Sequence, residues 1–288
     1  MVNYKSIKLS PGLYFVSTPI GSARDITLRA LDILANADVL AAEDTRTLKK
    51  LLEIHEIPMK NRILISYHDH NGSKARPKLL AHLEQGKSIA YASEAGTPLI
   101  ADPGFSLLAG VINAENNVTS APGPCALIAA LTVGGLPTDR FCFEGFLPNN
   151  KSQRELKFRQ LQSYRGTLVF YESAKRLKDT LVKALEIFGE TRQAVVCREI
   201  TKKFEDIKRG NLKELSAFYS DENVKGEIVL LIAGAVDSDT DQSKIEQYVK
   251  DALRTMSVKD SAEAVALAFN VPRRDVYQIA LKIKSDGD

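Results

Sequence analysis

Between residues 13 and 136 the chain repeats one pattern, a short apolar run, then a loop, then a helical stretch. The apolar runs are Leu13 to Ser17, Val39 to Ala42, Arg62 to Tyr67, Ile89 to Ala92 and Val118 to Ser120. Leu28 to Leu34 and Thr45 to His55 read as the helices after the first two, with Thr45 placed as N-cap. Strands alternating with helices predict a parallel sheet with helices on its faces. In such a sheet, ligands bind just beyond the carboxyl ends of the strands. Loops that could hold a ligand are therefore expected along one edge.

Four loops at those strand ends have the composition of a binding site. The richest follows Ile89 to Ala92 and combines Glu94, Gly96, Thr97, Pro98, Asp102, Pro103 and Gly104. Most connections between a strand and a helix run about 2–6 residues, and this one is roughly twice that before Phe105. Ser17 to Gly21, Glu43 to Arg46, and Ala121 to Pro124 are the other three. Each alone marks only a turn; four on one edge point to a small-molecule cleft.

Gly134 to Pro137 breaks the pattern. Beyond it Phe141 to Phe146, Gly166 to Tyr171, Ala194 to Ile200 and Glu227 to Ala233 are strand-like. Helical patterns fall at Ser152 to Tyr164, Ala174 to Phe188 and Leu212 to Tyr219. Asp237 to Asp241 is an acidic linker, and Ser243 to Lys284 reads as three short helices. Within them Ala262 to Phe269, Asn270-Val271-Pro272 and Arg273 to Ile283 have the spacing of a helix-turn-helix. The expected divisions are residues 1–136, 137–236 and 237–288.

Composition and missing motifs narrow the ligand. The 288 residues are 44% hydrophobic and 26% charged with a net charge of +3, so any polyanion contact must come from a local patch. There is neither a G-x-x-x-x-G-K-[ST] phosphate loop nor a G-x-G-x-x-G turn after the first strand. Cys125, Cys142 and Cys197 are far apart and in no metal-ligand spacing. His68 and His70 stand alone, so no metal is expected. The longest apolar run, Ile228 to Val236, is far short of the roughly 20 residues that span a bilayer. Lys5, Lys8 and Pro11 interrupt any leader-like region. A cytoplasmic protein with reduced thiols is expected, with no membrane association.

STPIG at 17–21, EDTR at 43–46, SYHDHN at 66–71, SEAGTPLIADPG at 93–104 and APGP at 121–124 occur in an order that resembles the tetrapyrrole-methylase superfamily. The resemblance is strongest to the branch that methylates a cytidine 2′-hydroxyl in 16S ribosomal RNA. It continues through FEGFLP at 143–148, FYES at 170–173, REITKKFEDIKRG at 198–210 and GEIVLLIAG at 226–234. The resemblance implies two α/β domains with a cleft between them and a small C-terminal helical module. It also implies S-adenosylmethionine (SAM) as methyl donor, the small ribosomal subunit as partner, and a homodimer. The donor would be held by Pro19, Gly21, Ser93, Glu94, Ala95, Gly96, Thr97, Pro98, Pro122, Gly123, Pro124, Ala126 and Tyr171. The chain departs from the family pattern at Glu94, where an Asp is usual, and at Ala101, where a Ser is. Ala174-Lys175-Arg176 replaces Pro-His-Arg, so only Arg176 carries over.

Methylating a hydroxyl requires both substrates at near-attack distance and a group that takes the proton. Asp44 and Glu43 are the expected acids near the acceptor, with Arg24 and Arg46 on the RNA backbone; a helix N-terminal acid is an equally good reading of Asp44. Residues 151–165 carry five basic side chains against one acid, and 198–209 carry five against three. A solvated face or an RNA surface that includes Arg154, Lys157 and Arg176 would both fit. The tail, with eight basic and ten acidic residues, offers Arg273 and Arg274 for RNA or simply packs. Two rival functions stay open: methylation of a tetrapyrrole or protein, and non-catalytic RNA binding in ribosome assembly.

Overall fold

A computed structural model describes residues 3–68, 71–222, 224–235, 242–269 and 271–285. His70, the 237–241 linker and Asn270 lie outside these residues. The chain divides into two compact units, Met1–Gly234 and Ala235–Asp288.

The first unit holds two five-stranded sheets. One contains β1 (Gly12–Val16), β2 (Val39–Ala42), β3 (Ile63–Ser66), β4 (Ser88–Ala92) and β5 (Val118–Ala121), in the order β3-β2-β4-β1-β5. Every pairing in it is parallel. The central strands β2 and β4 are buried at every position, as expected of a sheet covered on both faces. α1 (Leu28–Asn36) and α2 (Thr45–Ile54) pack on one face through Leu31, Leu34, Leu48 and Leu52. α3 (Gly72–Glu84) and α4 (Phe105–Asn113) pack on the other through Leu79, Leu83, Leu107 and Val111. The sequence pattern gave no signal for α3, because Pro77 interrupts it. A proline inside a helix removes one backbone donor, which here is outweighed by burial of Leu79 and Leu83.

α5 (Ala126–Gly134) leaves the edge of this sheet and lays Leu127, Ala130 and Leu131 on the inner face of the second. That sheet contains β6 (Phe141–Phe146), β7 (Thr167–Ser173), β8 (Gln193–Arg198), β9 (Asp206–Asn211) and β10 (Glu227–Ile232), in the order β6-β7-β10-β8-β9. Only β6 and β7 run parallel; β7, β10, β8 and β9 are antiparallel neighbours. Its outer face is covered by α6 (Lys151–Leu161), α7 (Ala174–Phe188) and α8 (Leu212–Phe218) around Phe158, Phe170 and Leu181. The expected strands and helices of this half are present, and β9 is additional. Its sequence, DIKRGN, has almost no apolar content and is held as an edge strand by register with β8.

The second unit is three helices, α9 (Gln242–Leu253), α10 (Val258–Phe269) and α11 (Arg273–Ser285). They share their own small core of Val249, Ala262, Val265, Val276 and Ala280.

Candidate functional site: an acidic cleft at the carboxyl edge

The loops at the carboxyl ends of β1, β4 and β5 are tied to one another. Thr18 and Gly96 exchange both backbone hydrogen bonds, at 2.9 and 3.1 Å. The Ser93 hydroxyl donates to the Gly96 carbonyl at 2.8 Å, and the Thr97 hydroxyl to the Pro124 carbonyl at 2.9 Å. The Ser17 hydroxyl in turn donates to Thr97 Oγ1 at 3.3 Å. Gly96 has φ +84, and a Cβ there would lie 3.2 Å from Ile20; the turn therefore needs glycine for its backbone and its space. Gly21 abuts the other half of the cleft, where an added Cβ would lie 2.5 Å from Thr201 Oγ1.

These loops and the second sheet enclose a cavity of about 370 Å³, within the roughly 300–1,000 Å³ of ligand clefts. Of the residues expected to hold a ligand, Glu94, Ala95, Gly96, Thr97, Ala126 and Tyr171 line it, and so does Glu43. Ser93, Gly123 and Pro124 stand behind the wall, shaping it through the bonds above and through contact of Gly123 with Ser17. Pro19, Gly21, Pro98 and Pro122 belong to the same loops without lining the cavity. The opposite wall went unread in the sequence: Phe146, Cys197, Ile200 and Val229 come from the second sheet and its loops. The Tyr171 hydroxyl accepts from Leu127 N at 3.3 Å, and its ring meets Phe143 and Phe146 edge-on. Burial raises the Tyr171 hydroxyl well above its usual range.

The lining is acidic. Glu43, Glu94, Asp102, Glu172 and Glu227 contribute, and among the described residues no lysine or arginine lines the cavity. Glu172 is paired with Arg176 at 2.6 Å, and Glu227 shares Lys202 with Glu199, each at 2.8 Å. Burial pushes Asp102 up to about 7, helped by the charges of Glu43 and Glu94. Asp102 was legible only as one acid in a Pro/Gly loop.

Several expected site residues are placed elsewhere. Asp44, not Thr45, is the N-cap of α2, its Oδ1 accepting from Arg46 N at 2.7 Å. Its carboxylate also binds the Arg46 guanidinium at 2.6 Å, which with the backbone bond holds it down to about 2. A carboxylate so stabilised is a weak base, and Asp44 does not line the cavity. Asp44→Asn, which keeps a capping oxygen, should leave the pH profile of any reaction here unchanged between pH 5 and 9; a shift in that profile would return Asp44 to the chemistry. Arg154 is a correction of a different kind. It is 3% exposed, on the buried face of α6 rather than displayed to solvent, so it cannot form part of a surface RNA grip. Lys157 pairs with Glu144. Arg176 is bound to Glu172, Ser173 and the Leu147 carbonyl, an internal clamp rather than a free cation. Within 198–209, Lys202 and Arg209 are likewise committed, Arg209 donating to the Gly134 carbonyl at 3.1 Å. Arg24 and Arg46 are exposed on the segments after β1 and β2. In the second unit Arg273, Arg274, Lys259 and Tyr277 line one surface hollow.

Comparison with known proteins sets the class first. Residues 12–216 match the family model Tetrapyrrole (Corrin/Porphyrin) Methylases, and residues 239–284 match the RsmI C-terminal HTH domain. The fold is shared with uroporphyrin-III C-methyltransferase from Thermus thermophilus, solved in complex with S-adenyl homocysteine. That match has a TM-score of 0.53 at 18% identity and covers 76% of this chain and 96% of the other. Ribosomal RNA small subunit methyltransferase I of Mesorhizobium japonicum is 40% identical, covering 97% of this chain and 96% of its own. The protein of that name from Escherichia coli O157:H7 is 41% identical, over 98% and 99%. The chain belongs to the tetrapyrrole methylase family, in the branch of ribosomal RNA small subunit methyltransferase I.

Proposed function

We propose that this chain transfers the methyl group of SAM to a cytidine 2′-hydroxyl of 16S ribosomal RNA in the small ribosomal subunit. The observation that carries the reading is the acidic cavity, whose lining holds no cation among the described residues. SAM supplies an electrophilic methyl on a positively charged sulfonium, and the product sulfur is neutral. Carboxylates around such a group favour the donor over its product and attract it electrostatically. Thr97, Gly96, Ala95, Glu94, Ala126 and Tyr171 would form the donor wall. Ser93, Pro98, Pro19, Gly21, Pro122, Gly123 and Pro124 fix the loops that shape it. Glu43 faces the acceptor side, with Arg24 and Arg46 on RNA phosphate. Residues 1–136 and 137–236 would serve as the two halves of the cleft, and 237–288 as an RNA-contacting module.

The protein would work in the cytoplasm as a homodimer. Free Cys125, Cys142 and Cys197 suit a reducing compartment. Exposed Phe105, Ile112 and Ile128 on α4 and α5 supply an apolar surface for a second copy.

Methyl-labelled SAM offered with small subunits, free 16S rRNA and a porphyrin precursor tests the substrate. Label should enter RNA at one ribose, where 2′-O-methylation blocks alkaline cleavage of the next phosphodiester. Label in the porphyrin, or none in RNA, would overturn the reading.

The tail gives a separate expectation. Among the described residues its buried core runs from Ile245 to Ala280, with Ile283 packed against it, while the buried core clusters of the first unit end by Ile232. Truncation after Gly234 should leave a folded protein that binds SAM by calorimetry. Methylation of small subunits should fall at least tenfold, since Lys259, Arg273, Arg274 and Tyr277 are removed. Unchanged methylation would show that the tail is dispensable.

A further inference from the structure

Resting on that reading, we infer that Phe146 is the platform on which the base of the acceptor nucleotide stacks while its ribose reaches into the cavity. Strand β6 is bent to place this ring. Along Phe141, Cys142 and Phe143 the strand alternates in the ordinary way, with Cys142 against the outer core and Phe143 against the inner one. Continued alternation would turn Phe146 outward, onto the face of Cys142 and of Glu144, whose carboxylate accepts from the Cys142 thiol at 3.1 Å. Instead the register with β7 slips. Phe143 stands beside Val169 and Phe146 beside Tyr171, so three steps along β6 match two along β7. The extra residue is taken up around Gly145, whose φ of +64 lies in the left-handed region. A Cβ there would meet nothing closer than Ala101 at 4.0 Å, so the backbone, and not lack of space, calls for glycine. Bulges of this kind re-aim a side chain and are over-represented beside active sites. This one brings Phe146 round to the inner face, where it lines the cavity.

Burial does not account for the ring. Phe146 is 59% exposed, and among the described residues no other large apolar side chain lining the cavity is exposed. Tyr171 meets it edge-on, with centroids 5.6 Å apart at 67°, and the rest of the ring is open to solvent. The strand is thus bent to hold a flat apolar surface at the edge of the cavity, where a planar ligand can cover it.

The acceptor base suits that surface better than the adenine of the donor. Phe146 lies on the edge strand of the second sheet, across the cavity from the loops after β1, β4 and β5, and faces the solvent from which a polymer arrives. The carboxylates lining the cavity repel RNA phosphates, so only the neutral parts of a nucleotide are drawn in. A nucleotide whose ribose enters the cleft is pulled off its neighbours and loses their stacking. Aromatic side chains replace that stacking in single-stranded RNA recognition. Because every base has a π-face, Phe146 supplies grip and orientation and leaves the choice of cytidine to other contacts.

Three substitutions in the full chain test this. Phe146→Ala should lower kcat/KM for small subunits at least about fivefold, the smallest loss expected for one base–aromatic stack. Phe146→Leu, apolar but without a ring face, should lose at least as much, whereas Phe146→Trp should stay within about threefold of wild type. The SAM dissociation constant should change less than about threefold in each, and the slope of log RNA affinity against log salt should not move, because no phosphate contact is lost. The sequence contains no tryptophan, so the indole of Phe146→Trp is a single reporter. Free 16S rRNA should quench its fluorescence, and SAM alone should not. A smaller loss in Phe146→Ala would overturn the assignment, as would wild-type kinetics in Phe146→Leu, which would leave only an apolar contact. Weakened SAM binding, or quenching by SAM alone, would overturn it too and give the ring to the donor's adenine. Should Phe146→Ala fail to fold, the indole decides, and no quenching by rRNA sinks the proposal. If wild type transfers no methyl to RNA, the substrate reading fails; normal transfer by wild type and undiminished variants fails Phe146 alone.

Discussion

Arg176→Met should destabilise the first unit by about 3–5 kcal/mol, because it strands the Glu172 carboxylate inside the protein. The Glu172 side chain is completely buried and its ion pair with Arg176 is 2.6 Å long. Thr180 and Ser173 still donate to it, but neither carries the compensating charge. For a unit of this size the loss corresponds to a fall in Tm of roughly 6–20 °C. Adding Glu172→Gln should recover much of it, since a neutral amide no longer needs the cation. Thermal unfolding of the single and double variants measures this directly. Were Arg176 instead an RNA contact, the single variant would melt like wild type and lose only RNA affinity.

Thr97→Trp should raise the SAM dissociation constant at least 100-fold, about 2.7 kcal/mol of binding free energy. Thr97 lines the cavity and joins two loops, accepting from Ser17 and donating to the Pro124 carbonyl. An indole in its place occupies volume within a cavity of about 370 Å³ and removes both bonds. Calorimetry on the folded variant gives the answer; because Thr97 is at the surface of the cavity and not in a core cluster, the melting temperature should move far less than in Arg176→Met. Donor binding at wild-type strength would place the methyl donor elsewhere.

Local signals carried much of this fold. The apolar runs and their spacing specified a parallel first sheet, because a strand buried on both faces must be apolar at every position, as β2 and β4 are. The Pro/Gly loops announced the cleft edge for a similar reason: turns with positive φ and close backbone approach admit few residue types, and Gly96 and Gly123 meet such demands. Elements with a weak local signal depend on the rest of the chain. Neither α3, which carries a proline, nor β9, a polar edge strand, has a periodicity of its own; each is stabilised by what it packs or pairs with.

The ordered motifs and the family they resemble were also present in the chain alone. The employment of each charge was set by the folded arrangement. Arg154, Lys157 and Arg176 are identical in type to surface cations, yet one is on the buried face of α6 and two are bound to carboxylates. Asp44 and Asp102 are the same residue in similar loops. Arg46 and a backbone N–H stabilise the charge of Asp44, while burial and two neighbouring glutamates destabilise that of Asp102. A linear sequence names a titratable group, but its proton affinity is set by solvent exclusion and by charges distant in the chain. Those exist only once the two sheets have closed around the cleft.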